Sequence, residues 1–216
     1  MGSLTSSDRA AMLASGTRVQ FNDDDILVMQ GDVGDVLYVL TGGMVKITVS
    51  AETGLETMLA VRSRGDLIGE FAVLDGAPRA ATVRAMGTVG ATRITASRFA
   101  AFVDACPGAL PALTRSVVAK LRAETERHAA ERNWGARERL AQVIYDLATG
   151  YGEKVDDGGI IIPLPLTQME LGELAGVAVS TTERVLADFR RQGLIQTGYR
   201  EIAIRDMACL GDARFT

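Results

Sequence analysis

Ile68 to Ala85 reads IGEFAVLDGAPRAATVRA. It sets an acid, Glu70, and a permanent cation, Arg79, around a short loop between two β-rich runs. Small residues (Gly76, Ala77, Ala80, Ala81) let the backbone come close to something. The guanidinium of Arg79 suits a phosphate, because its planar fork donates two parallel hydrogen bonds. Backbone N–H groups of a tight turn add to such an anion site. Glu70 only accepts when ionised, which suits a sugar hydroxyl. A phosphate clamp and a ribose clamp this close in sequence imply a nucleotide pocket, with Gly69 and Phe71 beside Glu70 in its wall. The plainer reading is a turn closed by a surface ion pair, since short motifs also match by chance.

The segment resembles the phosphate-binding cassette of cyclic-nucleotide-binding domains, whose pattern is roughly G-E-x-A-x-x-x-x-x-P-R-x-A-x-x-x-A. Gly69, Glu70, Ala72, Pro78, Arg79, Ala81 and Ala85 fall on it. Upstream, QGDVGDVLYVLTGGMVKI carries Gly31, Asp32, Tyr38, Val39, Gly43 and Val45, which match the β-roll of the same domain. The resemblance spans about residues 17–134. It implies that Arg79 holds a cyclic phosphate and Glu70 the ribose 2′-hydroxyl. It also sets Lys120 where the bacterial receptors of this family carry a phosphate-contacting Arg. Glu124 and Thr125 fall where two hydroxyl residues meet the base; Thr125 keeps that chemistry and Glu124 departs from it. Ala80 follows Arg79 where a hydroxyl residue would hydrogen-bond a guanine 2-amino group. The effector implied is therefore cyclic AMP in preference to cyclic GMP.

The chain has 216 residues, 47% hydrophobic and 23% charged, in the ordinary range for a globular protein with a real core. No run of about 18 apolar residues is present, so no membrane span is expected. The start, MGSLTSSDRA, lacks the apolar core of a secretory signal, and a cytoplasmic protein is expected. Its loose fit to the myristoylation pattern, through Gly2 and Ser6, carries little weight. Cys106 and Cys209 are too few for an iron–sulfur cluster and too far apart for a close-spaced zinc pair. Both are expected as free, buried thiols. The single His128 supports neither a multi-histidine metal site nor a hydrolase triad, so no metal and no catalytic residue are expected. A net charge of −4 argues against broad, non-specific nucleic-acid binding but leaves room for a local basic face.

Outward from the cassette, residues 6–14 read as a short helix capped by Ser6 or Ser7. Runs DILVMQ, VLYVLTG, MVKITVS, TMLAVRS, AATVRAM and GATRIT, separated by Gly, Asp and Asn turns, read as the strands of a β-roll or barrel. Ser97 caps a helix to Ala105. From Pro107 to about Gly150 the pattern is mostly helical, with Gly135 as an internal break. Leu110, Leu113, Val117 and Leu121 form an apolar stripe, and Ala119, Ala123 and Ala130 a second one in another phase. Two readings stand: a long helix lying on its own β-domain, or one that pairs two subunits. The resemblance implies the second.

Leu166 to Ile195, LTQMELGELAGVAVSTTERVLADFRRQGLI, is the other informative stretch. Thr167 and Glu170 make a capping box. Leu171, Leu174 and Ala175 face inward, and Gly176 stops the helix. Ser180 caps a second helix with Val185, Leu186 and Phe189 buried. GLIQTGYREIAIRD then reads as a β-hairpin wing around Gly198. The plain reading is a helical hairpin. The stretch is also similar, without gaps, to the winged helix-turn-helix of the cyclic-AMP receptor protein and FNR family. It follows the sensor region at that family's usual distance. A recognition helix enters the major groove by its N-terminal end. Here that end holds Val179, Ser180, Thr181 and Thr182, with Arg184 a turn later. Arg184 can grip a guanine, and Val179 and Thr182 can touch a thymine methyl. Thr167, Gln168, Ser180 and Thr181 suit phosphates, and Arg190, Arg191 and Arg200 supply nearby charge.

The expected fold is α+β: a jelly-roll-like β-roll sensor (1–106), a dimerisation helix and hinge (107–135), and a winged helix-turn-helix (136–216). The expected protein is not an enzyme but a homodimeric transcription regulator, probing a palindromic site on double-stranded DNA. Cyclic AMP is the effector expected from the resemblance, and RNA polymerase an expected further partner. Two rivals stand beside it: the same regulator with another effector or none, and a regulatory subunit that gates an attached enzyme.

Overall fold

The computed structural model describes residues 4–51, 54–155, 158–163, 165–198 and 201–212, and leaves the side chains of 124, 127, 128 and 130–132 undescribed. The chain divides into two compact units, Met1–Glu124 and Thr125–Thr216.

The first unit runs α1 (Ser6–Ala14), β1 (Thr17–Phe21), β2 (Ile26–Val28), β3 (Val36–Ser50), β4 (Glu56–Ser63), β5 (Leu67–Ile68), α2 (Glu70–Asp75), β6 (Thr82–Thr95), α3 (Ala96–Ala105) and α4 (Ala109–Asn133), the last continuing into the second unit. The strands form one antiparallel sheet in the order β1-β6-β3-β4, with β2 on β6 and β5 on β3. Two pairs of expected strands merge. Gly42 and Gly43 do not break β3, because register shifts on either side of Gly42 absorb them as bulges. Ala80–Met86 and GATRIT likewise join in β6.

All five residues Val36–Leu40 are buried. Leu37 and Val39 pack with Met12, Phe99 and Phe102 beneath the helices. Val36, Tyr38 and Leu40 face the interior of the roll with Val83 and Val89. A strand covered on both faces reads as an unbroken apolar run rather than an alternation.

The helix starts differ from expectation. Thr5, not Ser6 or Ser7, caps α1, and Thr95, not Ser97, caps α3. Each Thr is in extended backbone and its hydroxyl accepts an N–H of the first turn, whereas the serines are already helical. Pro111 sits in the first turn of α4, where its missing N–H costs no helical bond. The apolar stripe of α4 splits. Leu113 is buried in its own unit's core, while Leu110, Val118 and Leu121 are exposed.

The second unit holds the rest of α4, then α5 (Ala136–Tyr151), β7 (Glu153–Lys154), β8 (Ile160–Ile162), α6 (Gln168–Ala175), α7 (Val179–Arg191), β9 (Ile195–Gly198), β10 (Glu201–Ile204) and α8 (Met207–Asp212). Its sheet runs β7-β8-β10-β9. Leu140, Ile144, Leu186, Phe189 and Leu210 are fully buried. The break expected at Gly135 is present, as the extended N-cap of α5. The tail holds a surprise: α8 plugs the core with Leu210. The thiols are less buried than expected, since Cys106 is half-buried and Cys209 exposed.

Candidate functional site

Glu70–Asp75 of the cassette folds as a short helix, and the expected loop is confined to residues 76–81, which hold Arg79. Gly69 (φ 80°) and Gly76 (φ 72°) bracket α2, both in the left-handed region that glycine enters without strain. Gly69 also clears room: a Cβ there would lie 2.5 Å from Nη1 of Arg79. Arg79 is thereby drawn inside, only 7% exposed. Its Nη1 donates to the Gly69 carbonyl at 2.7 Å and its Nη2 to the Val36 carbonyl at 2.6 Å. No carboxylate pairs with it among the described residues. The surface ion pair of the plainer reading is therefore not what this turn contains. Arg79 is a buried cation held by neutral carbonyls, on the wall of a cavity of about 380 Å³.

Gly69, Glu70, Phe71, Ala80, Ala81 and Lys120 line the same cavity. Glu70 is 5% exposed. It is not open to solvent: Lys120, reaching over from α4, donates to its Oε1 at 2.5 Å and to the Leu67 carbonyl at 3.3 Å. The same Nζ lies 5.6 Å from the ring centre of Phe71. Lys120 thus meets the carboxylate rather than standing free as an anion clamp. Such a half-buried pair is worth most through what its loss would leave, an uncompensated charge. Thr125 is exposed and is not among the cavity-lining residues, and the Glu124 side chain lies outside the described residues. One lining residue had no signal in the sequence reading. Arg62 of β4 sits in a run that reads as plain strand, and only the pairing of β4 with β3 carries it to the cavity.

The second candidate site is built on α6 and α7. The capping box forms as expected: the Thr167 hydroxyl accepts from Glu170 N–H, and Glu170 Oε2 accepts from Thr167 N–H at 2.8 Å. Gly176 ends α6 at φ 61°. Ala178, not Ser180, is the N-cap of α7, and it offers no side-chain cap. Val179, Ser180 and Arg184 are exposed, Thr181 half-exposed, and Thr167 and Gln168 exposed at the start of α6. Thr182 is the exception. It is fully buried, its hydroxyl donates to the Ala178 carbonyl at 3.2 Å, and it packs against Gly172. It seats α7 on α6 and is not presented to a groove. Arg190 and Arg191 are exposed, and Arg200 lies outside the described residues.

Two arginines of α5, unremarkable in the sequence, hold this pair of helices. Arg137 pairs with Asp188 and donates to Gln192 Oε1 at 2.7 Å, with its guanidinium 4.8 Å from the centre of the Phe189 ring. Arg139 donates to the Gly176 carbonyl at 2.9 Å. The wing is present as β9 and β10, paired from Ile195↔Ile204 to Gly198↔Glu201.

The sequence matches the cyclic nucleotide-binding domain over residues 18–106 and the Crp-like helix-turn-helix domain over residues 138–213. The chain belongs to the Crp-like family of transcription regulators. It is 26% identical, over 197 residues, to the CRP-like cAMP-activated global transcriptional regulator of Mycobacterium tuberculosis (strain ATCC 25618 / H37Rv), covering 91% of this chain and 88% of that protein. It is 26% identical to the cAMP-activated global transcriptional regulator CRP of Salmonella typhimurium, covering 82% and 84%. Among solved structures, the c-di-GMP responsive global regulator CLP of Xanthomonas campestris has a TM-score of 0.79 at 19% identity, covering 94% of this chain and 100% of that one. That likeness is one of fold. Members of this family bind DNA through the helix-turn-helix and are regulators, not enzymes. No helix among the described residues is long and apolar enough to cross a membrane.

Proposed function

We propose that this regulator is a homodimer whose binding to a palindromic DNA site is controlled by cyclic AMP in the β-roll cavity. The observation that carries this reading is Arg79, a buried guanidinium on a cavity wall with only neutral carbonyls as partners. A cyclic phosphate supplies the missing charge. Glu70 then takes the ribose 2′-hydroxyl, which requires Lys120 to share or release the carboxylate it now holds. Lys120 belongs to α4, so effector and helix compete for one acceptor. The effector acts by binding one arrangement of α4 better than another. In the favoured arrangement, two recognition helices lie in successive major-groove turns about 34 Å apart. RNA polymerase is the protein partner such a regulator addresses.

Calorimetric titration of the purified chain tests the effector. Cyclic AMP should bind more tightly than cyclic GMP, because Ala80 offers no hydroxyl to the guanine amino group. Arg79→Ala should lose about 2–5 kcal/mol, the cost of removing one side of a desolvated charge pair. Equal affinity of wild type and Arg79→Ala for cyclic AMP would refute the pocket. A second reading, an effector other than cyclic AMP, is favoured by the Lys120–Glu70 pair, which already satisfies the carboxylate meant for ribose.

A further inference from the structure

Among the described residues, the cavity wall carries more positive charge than one phosphate neutralises. Arg62 lines it together with Arg79, Lys120 and Glu70. Arg62 is half-buried, and its Nη1 donates to the carbonyl of Val61 at 2.8 Å. No carboxylate is paired with it among the described residues. Arg84, on β6 of the same sheet, is the contrast. It too is half-buried, yet Asp24 and Glu56 each bring a carboxylate oxygen to 3.9 Å. Among the described residues, the cavity walls therefore carry three cations against one carboxylate. The surface between them is apolar, with Ile47, Val49, Leu59 and Val83. Sheltered charge without a partner is costly, so anions are favoured there. A cyclic phosphodiester brings a single negative charge, and Arg79 takes it.

We propose that Arg62 is a second anion-binding point, and that the effector is a nucleotide with two separate anionic groups, one for Arg79 and one for Arg62. This rests on the nucleotide pocket proposed above and takes up the second reading given there, an effector other than cyclic AMP itself. Two kinds of molecule carry this chemistry: a cyclic dinucleotide with two phosphodiesters, and a cyclic mononucleotide with an acidic substituent.

The test is calorimetry on the full chain with four probes: cyclic AMP, cyclic di-AMP, cyclic AMP carrying a short carboxylate on its base, and the carboxamide of that compound. At least one two-anion probe should bind wild type tenfold or more tighter than cyclic AMP. If the second source is right, the carboxylate should beat its own carboxamide. Arg62→Gln should erase that preference, with circular dichroism reporting that the fold is intact. Arg62→Lys should keep part of the preference, and added salt should shrink it. Two results would overturn the second anion point while leaving the nucleotide pocket standing: cyclic AMP binding wild type as tightly as both two-anion probes, or Arg62→Gln keeping the preference. Failure of all four probes to bind wild type would overturn both readings together.

Discussion

Arg79 gets its character from what surrounds it rather than from its own chemistry. Two glycines make room: a Cβ at Gly34 would lie 2.5 Å from its Cζ, and one at Gly69 equally close to Nη1. At the other end of the chain a single side chain sets reactivity. The Cys209 thiol lies 3.2 Å from Asp206 Oδ2. That hydrogen bond to a carboxylate pushes the thiol above its ordinary range, and the same bond pulls the Asp206 carboxyl down. The thiolate is the reactive species, so Cys209 should alkylate slowly at mildly alkaline pH despite being exposed. Asp206→Asn removes the charge and the strongest acceptor, so its Cys209 peptide should alkylate faster at pH 8, as followed by mass spectrometry. A slower or unchanged rate would show that the carboxylate does not control the thiol. For Asp206 the sign is that of any depressed carboxyl. Its contribution is present above the ordinary aspartate range and fades as the pH falls through the lowered value.

Among the elements, α7 divides its faces sharply. Thr182, Leu186 and Phe189 are buried, while Val179, Ser180 and Arg184 point outward. Of the outward set only Arg184 can make the bidentate contact that reads a guanine, worth about 1–3 kcal/mol of discrimination. Ser180 is too short to accept from a cytosine amino group as a Glu would. The preferred half-site should therefore differ from that of regulators that carry Arg and Glu where this chain has Val179 and Ser180. Arg184→Ala should relax preference at one G·C pair per half-site, whereas Gln168→Ala should weaken all sites about equally. Selection from random DNA, repeated with each variant, checks this. A loss of affinity without loss of preference in Arg184→Ala would assign Arg184 to the phosphates instead. The clamp of Arg137 on Asp188 and Gln192 is a partly exposed network, and such pairs contribute little to stability singly.

At the scale of the molecule, α4 presents Leu110, Val118 and Leu121 to solvent at 55%, 42% and 67% exposure. Three large apolar residues at helical spacing are what a second copy would cover. The proposed dimer uses this face and not Leu113, which is spent inside its own unit. Val118→Glu does not touch the cavity lining. It should shift sedimentation equilibrium toward monomer at micromolar protein while leaving the fold intact by circular dichroism. A wild type that sediments as monomer with effector present, or a Val118→Glu protein that stays dimeric, would dismiss this face as the contact.

What could be read without coordinates was whatever depends on neighbours along the chain. The Thr167–Glu170 capping box, the stop at Gly176 and the break at Gly135 are local statements about backbone angles and hydrogen-bond partners a few residues away. They read correctly because their physics is short-range. Helix starts were legible only to within a residue or two, since Thr5 and Thr95 compete with nearby serines for the same orphan N–H groups. Charge partners across the fold could not be read at all. Lys120 reaches Glu70 across fifty positions, and Arg62 enters the cavity through strand register. Thr182 turns inward because α6 packs there through a glycine. Periodicity says which side of a helix is apolar, but not whether a threonine on its edge faces a groove or the core. That choice belongs to packing, and only the tertiary structure makes it.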